Sequence, residues 1–477
     1  MHARRLQWIA AGTGLVVIHC LLLVLSRAFA PAAPLLTYPV ILFVTLEVLA
    51  AAIYLGLAWL IPRSRAEPAL LVLVLAVGMV IRAVTVFSTP VLEDDYYRYL
   101  WDGAVVAGGH DPYRYTPAQV SNAGSGAQGD TALAALALLA GDGGHVMEHI
   151  NYPRLSTVYP PLAEAAFALG AMLERFSLVA WRLMLLLFEA ITVVLLYLIL
   201  RRLNRSSLWL AIYLWNPLVV KELVNSAHMD ALLLPFLVAV LLLMLQARHV
   251  LASLMLALAA GIKLWPVLLL PTVLRPLLLE PRRFAGALAA FAAAFAATAW
   301  WLWSYARAGT GLGVYALDWE MNDGLFLALH WLTAKALVLL DLEWTSSAGV
   351  ARALAAALIL WLVFAVNKRA PRDPDVLCNR FLIVTAAVFL LAPAQFPWYY
   401  TWLVPFLVLV PSSALLTLTA LLPLYYLRFY LDFRGQARLF DYGIVWLEYV
   451  PVWILLAWAW RRPVQAVERV RLRPDHP

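Results

Sequence analysis

Three consecutive acids, Glu93, Asp94 and Asp95, follow an apolar run in the segment "VLEDDYYRYLWDG", residues 91–103. Adjacent carboxylates can supply a general base, because each raises the pKa of the other and one can then take a proton from a hydroxyl. They can equally hold a divalent cation through oxygen ligands. The segment therefore indicates either base catalysis by Asp94 or Asp95 or a divalent cation site, and no other cofactor is predicted.

The same segment is also typical of an ordinary helix start. Thr89 is a good capping residue, and Pro90 suits the first helical position. Arg98 follows Asp94 by four residues and precedes Asp102 by four, so these three side chains would share one helical face. On this interpretation they form a surface charge ladder that contributes only a fraction of a kcal/mol.

Three further segments collect polar or aromatic side chains beside apolar runs. They are "VYPPLAE" with Tyr159, "WNPLVVKELVNSAHMDAL" with Lys221, Asn225, His228 and Asp230, and "PWYYTWLVPF" with Trp398 and Tyr399. The second is a very short connection, so His228 and Asp230 must lie close to the bilayer or to other helices, where they bind an acceptor or stabilise the fold. The aromatic segment fits an interfacial belt or a cavity wall equally well.

Lys263 lies inside an apolar stretch, "GIKLWPVLLLP", between a glycine and a proline. An ammonium buried in a membrane is costly and usually has a partner or marks a pathway. Broken helices with polar groups at the break often build substrate sites, and the phosphate of a lipid carrier is a plausible partner. The alternative is that Lys263 snorkels towards the cytoplasmic interface.

The composition of the chain indicates what kind of structure must position these residues. Of the 477 residues 64% are hydrophobic and only 13% are charged, and the mean hydropathy is +0.82. Such a chain is a polytopic membrane protein, with about 12 to 14 spans of roughly 20 residues each. The net charge of +7 comes from arginines in short connections, which is the positive-inside pattern and not a nucleic-acid-binding stripe. The two cysteines predict neither a disulfide framework nor a zinc site.

The longest connection, residues 89–177, follows the third predicted span and lies on the outer side by the positive-inside rule. Its apolar runs at 131–140 and 161–173 are too short to span comfortably and predict helices on the membrane surface. We expect residues 1–477 to form one integral-membrane domain. The chain contains no Walker loop, dinucleotide fingerprint or nucleophile elbow, which argues against nucleotide-driven transport and against a nucleotide-sugar donor.

In this order along the chain, the motifs resemble those of the integral-membrane glycosyltransferases of the GT-C superfamily. The chain is most similar to bacterial mannosyltransferases that use polyprenyl-phosphate sugars. The matching segments are "EDDYYRYLWDG" with "GGHDPYRYTP", then "VYPPLAE", "WNPLVVKELVNSAHMDAL", "GIKLWPVLLLP" and "PWYYTWLVPF". The resemblance implies an all-α polytopic bundle of GT-C type in the cytoplasmic membrane, with its active site facing outwards.

The resemblance also implies roles for residues. Asp94 or Asp95 would be the catalytic base in an inverting transfer of a hexose, above all mannose, from a polyprenyl-phosphate donor to a lipid- or glycan-linked acceptor. Cations would neutralise the leaving phosphate, and Arg98, Lys221 and Lys263 are the candidates. The full set of predicted substrate-binding residues is Glu93, Arg98, Asp102, Tyr159, Lys221, Asn225, His228, Asp230, Lys263, Trp398 and Tyr399.

Two other functions fit part of this pattern. A flippase or transporter for a lipid-linked saccharide would also have a polar cavity and broken helices. An O-antigen polymerase or ligase would transfer a glycosyl group from a lipid-linked oligosaccharide. The acidic pair favours a transferase, because a flippase has little need for neighbouring carboxylates on its outer side.

Overall fold

The computed structural model describes residues 2–31, 33–123, 130–305, 311, 313–314, 319–342, 344–371 and 373–461. Helices dominate this part of the chain, and its only β pairing is an isolated parallel bridge between Met321 and Ala394. The predicted all-α class is therefore confirmed.

Within the described residues, eight helices are long and apolar enough to cross a membrane. They are Ala3–Phe29, Val40–Arg63, Pro68–Thr85, Leu178–Arg202, Ser347–Val366, Pro374–Leu391, Ser413–Asp432 and Ala437–Ala459. A bent pair, Pro217–Asn225 with Met229–Leu245, makes a ninth if it is one span. These helices confirm a polytopic helical bundle.

Other helices include one of 25 residues, Pro281–Tyr305, and many that are short, broken or in the connections. They are Asp95–Ala107, Pro117–Ala123, Thr131–Asp142, Gly144–Glu148, Pro161–Leu173, His249–Ile262, Trp265–Leu269, Leu270–Leu274, Pro281–Tyr305, Gly324–Leu339, Pro397–Tyr400 and Val404–Leu409. The count of membrane-length helices is lower than the 12 to 14 spans expected from apolar runs of about 20 residues. Residues 207–222 and the runs around Lys263 and around 399–411 form short helical pieces with breaks between them, and the bent pair is not among the eight.

The connection between the third and fourth membrane-length helices begins with a turn and an irregular segment rather than a helix. The backbone N–H of Thr89 donates to the Ser26 hydroxyl, and that of Val91 donates to the Asn225 side chain. These tethers hold the segment in a non-helical conformation with a bend at Leu92, where φ is +60°, so the helix starts at Asp95 with Asp94 immediately before it. The predicted start at Thr89 and Pro90 is therefore wrong.

The two short apolar runs of this connection form helices as predicted. Thr131–Asp142 has 12 residues and Pro161–Leu173 has 13, too few for the roughly 20 that a span needs. The helix Asp95–Ala107, called here the acid helix, packs closely on the second of them. A Cβ atom on Gly103 would lie 2.4 Å from the carbonyl oxygen of Phe167, so glycine is required for this approach.

The bent pair contains an irregular turn that carries polar residues into the interior. Its two helices meet at 103°, and the first ends in a π-helical turn, Val220–Asn225. Ala227 has a left-handed backbone with φ of +57°. Helical turns of the π type and left-handed residues other than glycine are concentrated at functional sites. Here they place His228 and Asp230 at 0% and 1% exposure.

Candidate active site

A cavity of about 370 Å³ lies where the acid helix meets the broken helix around Lys263. Five separated stretches of the chain supply its walls. Its chemically distinctive lining consists of Asp95, Arg98, Tyr99, Asn151, Tyr159, Lys263, Trp265, Trp319, Trp398, Tyr399 and Trp402. A carboxylate, two cationic side chains and an aromatic wall therefore converge on one space, which is the usual composition of a site for a polar ligand with an apolar part.

Asp94 and Asp95 occupy different positions relative to this cavity. Asp95 lines it, with 23% of its side chain exposed, whereas Asp94 is on the surface. One side chain, Asn151, joins them: its Nδ2 donates to Asp94 Oδ1 at 2.7 Å and to Asp95 Oδ1 at 2.9 Å. Asn151 was missed by sequence reasoning, because it lies 56 residues from Asp95 and no local pattern marks it.

The electrostatic setting of Asp95 is that of a base. Burial raises the pKa of Asp95 to about 6, and the neighbouring charge of Asp94 adds to the effect. The amide of Asn151 and the ammonium of Lys263 act in the opposite direction. A carboxyl group with a pKa near 6 is ionised at pH 7 yet binds a proton more readily than an ordinary aspartate, which suits general-base work.

Glu93 lies behind the acid pair and does not line the cavity. Only 7% of its side chain is exposed, and its Oε2 is 4.0 Å from His228 Nε2. Burial raises the pKa of Glu93 well above its usual value, and the charges of Glu222 and Asp95 reinforce the shift. Its place is therefore beside the acids and His228 rather than against a bound substrate.

Lys263 points into the cavity and pairs with Asp230. Its Nζ is 2.6 Å from Asp230 Oδ1, which also accepts a hydrogen bond of 2.5 Å from Trp402 Nε1. The ammonium lies over the rings of Tyr399 and Trp402, at 4.1 and 4.9 Å from their centroids. This geometry excludes the snorkelling alternative, since a partner and two aromatic faces hold the side chain in the interior.

Arg98 and Asp102 form the ion pair that their spacing predicts, but it is buried rather than exposed. Arg98 Nε is 2.9 Å from Asp102 Oδ2, and the two side chains are 8% and 2% exposed. Arg98 Nη1 donates to the carbonyl of Leu155. Asp94 is not part of this pair, because it precedes the helix and turns towards Asn151. The surface charge ladder is therefore wrong, while the Arg98–Asp102 contact is confirmed.

Lys221 and Asn225 lie away from the cavity. Lys221 Nζ donates to the hydroxyls of Ser226 and Tyr426, the latter at 2.9 Å. Asn225 holds the non-helical segment before the acids: its Oδ1 accepts from the Val91 N–H at 3.0 Å, and its Nδ2 donates to Ser88 at 2.7 Å. In this structure neither side chain faces the space where Asp95 and Lys263 meet.

His228 is enclosed at the back of the cavity wall. Its ring stacks on Trp398 with centroids 4.1 Å apart and planes at 16°. Tyr159 and Tyr399 complete this wall as the motifs suggested. In the part of the chain that the structure describes, no group of three or more histidine, cysteine, aspartate or glutamate side chains is arranged to hold a metal ion.

A bundle of membrane-length helices with a buried carboxylate, two cations and an aromatic wall around one cavity is typical of a membrane-embedded enzyme with a polar substrate. Residues 155–278 match the family model MptA_B, described as the alpha-(1->6)-mannopyranosyltransferase N-terminal domain. The match supports a GT-C-like mannosyltransferase family and, with it, glycosyltransferase activity. No curated protein and no solved structure matches the chain significantly.

Proposed function

We propose that the protein transfers mannose from a polyprenyl-phosphate donor to a lipid- or glycan-linked acceptor at the outer face of the cytoplasmic membrane. The observation that carries this proposal is the convergence of Asp95 and Lys263 on one aromatic-lined cavity. A glycosyl phosphate needs those two groups: a base for the acceptor hydroxyl and a cation for the departing phosphate. The match to a mannosyltransferase family is the reason for proposing mannose as the transferred sugar.

In the proposed reaction Asp95 is the base. It takes the proton of the acceptor hydroxyl while the acceptor oxygen forms a bond to the anomeric carbon of mannose. The bond from that carbon to the phosphate oxygen breaks, and polyprenyl phosphate leaves with the electron pair. Asp95 is favoured over Asp94 because Asp95 lines the cavity and Asp94 is on the surface.

Lys263 is the proposed cation for the leaving phosphate. It is the ammonium on the cavity wall, and Asp230, Tyr399 and Trp402 fix its position. A charge held in place before the reaction stabilises a developing anion without reorganisation at the moment of transfer. Arg98 contributes a second positive charge to the same wall. Trp398 and Tyr399 line the same wall and would contact the sugar or the lipid chain.

Basic residues at the ends of the flanking helices opposite the acid helix support the orientation. Arg63 and Arg65 precede the third membrane-length helix, and Arg201 and Arg202 end the fourth. The connection that carries Asp95 joins the opposite ends of these two helices. The positive-inside rule therefore supports an active site on the outer side.

The test is a donor panel. Purified protein in lipid nanodiscs is supplied with polyprenyl phosphates of mannose, glucose and galactose and with a glycolipid acceptor extract. We expect release of polyprenyl phosphate and a mannosylated product from the mannose donor alone. Asp95→Asn should abolish the release, whereas Asp142→Asn, an exposed acid in the same connection, should leave it intact.

Other outcomes identify the rival functions. Movement of an intact lipid-linked saccharide across vesicles, without cleavage of any donor, would mean a flippase. Use of a lipid-linked oligosaccharide as the donor would mean a polymerase or ligase. The first result would overturn the proposed transferase function, and the second would overturn the proposed donor.

A further inference from the structure

His228 is surrounded by three carboxylates at distances slightly too long for hydrogen bonds. Its Nδ1 is 3.7 Å from Asp95 Oδ2. Its Nε2 is 3.6 Å from Glu222 Oε2 and 4.0 Å from Glu93 Oε2. Among the described residues, neither ring nitrogen has a hydrogen-bond partner, although the side chain is fully buried. Buried polar atoms without partners are rare, and each one calls for an explanation.

Specific contacts with the side chain and the backbone of His228 fix the position of the imidazole. Trp398 covers one face of the ring. The backbone N–H of His228 donates to the carbonyl of Glu222 at 3.1 Å, across the turn that contains the left-handed Ala227. The same irregular turn thus sets the distance between His228 and Glu222. Backbone strain of this kind persists where the surrounding structure requires a particular placement.

We propose that His228 acts through Asp95 as a proton relay: Asp95 takes the proton of the acceptor hydroxyl and passes it to Nδ1 of the imidazole. This inference rests on the proposed transferase function. His228 is a positioning and relay residue here, because it lies behind Asp95 rather than against the substrate. In sites without substrate such hydrogen bonds are often long and shorten only in the reacting complex.

The proton balance of the relay is simple. One O–H bond of the acceptor breaks and one O–H bond forms on Asp95. That bond then breaks as an N–H bond forms at His228 Nδ1, which leaves Asp95 ionised beside the product. When the product departs and the cavity opens to water, the imidazolium returns the proton through Asp95 to solvent. No oxidant, reductant or further reactant is needed.

The charges around the ring decide whether it can hold this proton. Glu93, Asp95 and Glu222 contact it from two sides and stabilise the imidazolium. Burial of the ring is the largest effect opposing its protonation, and the ammonium groups of Lys221 and Lys263 act in the same direction. The three carboxylates lie within 4.0 Å, whereas Lys221 is directed to Ser226 and Tyr426 and Lys263 to Asp230. The ring is therefore neutral before the reaction, and the three carboxylates are the groups that can stabilise the proton it receives.

The test compares two replacements of the histidine. His228→Gln keeps a polar side chain, and His228→Phe keeps the stacking on Trp398; neither can accept the proton. We expect both to lower kcat by roughly 10- to 100-fold, in the lower part of the range for proton-transfer groups, with the donor KM unchanged. The acid limb of log kcat against pH should fall from a slope of about two to about one, because one of two coupled ionisations is lost.

Controls separate the relay from a structural role. His249→Gln changes a histidine at the far end of the helix His249–Ile262 and should leave kcat and its pH profile unchanged. Glu222→Gln keeps the histidine and its stack but removes a carboxylate that stabilises the imidazolium, so it should lower kcat several-fold. It also keeps the proposal testable if the histidine variants do not fold.

The results distinguish the relay from the proposed function. A kcat within twofold of the wild type in His228→Gln, full activity in His228→Phe, or an unchanged acid-limb slope would overturn the relay while the transferase function stands. Failure of the unmodified protein to release polyprenyl phosphate from any donor would overturn the function itself.

Discussion

Two groups of buried charges in this bundle are built in opposite ways. In the first, Arg82 and Glu189 join the third and fourth membrane-length helices through two hydrogen bonds, at 2.9 and 3.1 Å. Tyr213 donates to Glu189, and the carbonyl of Leu214 accepts from Arg82. Every polar atom of this ion pair has a partner, and it lies away from the cavity. Its chemistry is complete, so it serves to hold helices together.

The second group surrounds the cavity and is incomplete. Within the described residues, several of its buried polar atoms have no hydrogen-bond partner. They are Glu93 Oε1, Arg98 Nη2, Glu222 Oε2, both ring nitrogens of His228 and Asp230 Oδ2. A buried polar atom without a partner lowers stability by about 1–3 kcal/mol. In these two groups, the charges with complete hydrogen bonding join helices, and the charges with unpartnered atoms lie around the cavity.

The largest effect should come from Asp95→Asn. We expect activity to fall by about 10³-fold, within the range for loss of a general base, and the Tm at pH 7.5 to stay the same or rise. Burial raises the pKa of Asp95 to about 6. A raised pKa means that its stabilising contribution exists in acid and is lost as pH rises through about 6. A neutral asparagine avoids that loss.

Intrinsic fluorescence during heating, measured with the donor assay on one preparation, checks this prediction. Asp142→Asn is the matched control, since it changes an exposed acid of the same connection. A Tm that falls together with activity would show that Asp95 has a structural role. The charges around the cavity would then not differ in role from the Arg82–Glu189 pair.

Glu189→Ala should show the opposite behaviour. Removing one partner of a buried ion pair leaves Arg82 charged and unpaired, which destabilises a protein by about 3–5 kcal/mol. We expect a lower Tm, with the donor KM of the remaining folded protein unchanged. The double variant Arg82→Met with Glu189→Leu should recover much of the stability. A stable but inactive Glu189→Ala protein would contradict this assignment.

Lys263→Met tests the cation of the cavity. We expect the donor KM to rise by roughly 10- to 100-fold, the equivalent of one charge-assisted hydrogen bond of about 1.5–3 kcal/mol. Because Asp230 would then be buried without its partner, the double variant with Asp230→Asn is the folded comparison. Steady-state kinetics with labelled polyprenyl-phosphate mannose measures the effect. A donor KM equal to that of the wild type would remove Lys263 from the phosphate site.

The smallest effect should come from Asp94→Asn. The charge of Asp94 is one cause of the raised pKa of Asp95, so its removal lowers that pKa. The wild-type rate should fall as pH drops through about 6, and in the variant this fall should occur at lower pH, by less than about one unit. Activity at pH 7 should change by no more than a few-fold.

The dependence of kcat/KM on pH, measured from 4.5 to 8 for both proteins, shows the shift. An Asp94→Asn variant as inactive as Asp95→Asn would instead make Asp94 the base and reverse the assignment drawn from the cavity.

Several features followed from the sequence by itself. A 64% hydrophobic chain must lie in a membrane, because no soluble fold can bury so much apolar surface. The runs at 131–140 and 161–173 predicted short helices from length and composition alone. The glycine and proline beside Lys263 indicated a broken helix, and the spacing of Arg98 and Asp102 predicted their contact. These are local properties, decided by residues within a few turns of each other.

The tertiary structure alone decided which of these residues meet. Asn151 bonds to Asp95 although the two lie 56 residues apart in the sequence. Asp230 pairs with Lys263, which lies 33 residues further along the chain. Hydrogen bonds to Ser26 and Asn225 keep residues 89–91 out of the helix, which therefore starts at Asp95. The irregular turn around Ala227 points the side chains of Lys221 and His228 in different directions. Pairings between distant segments depend on how helices pack, and no periodicity within one segment contains that information.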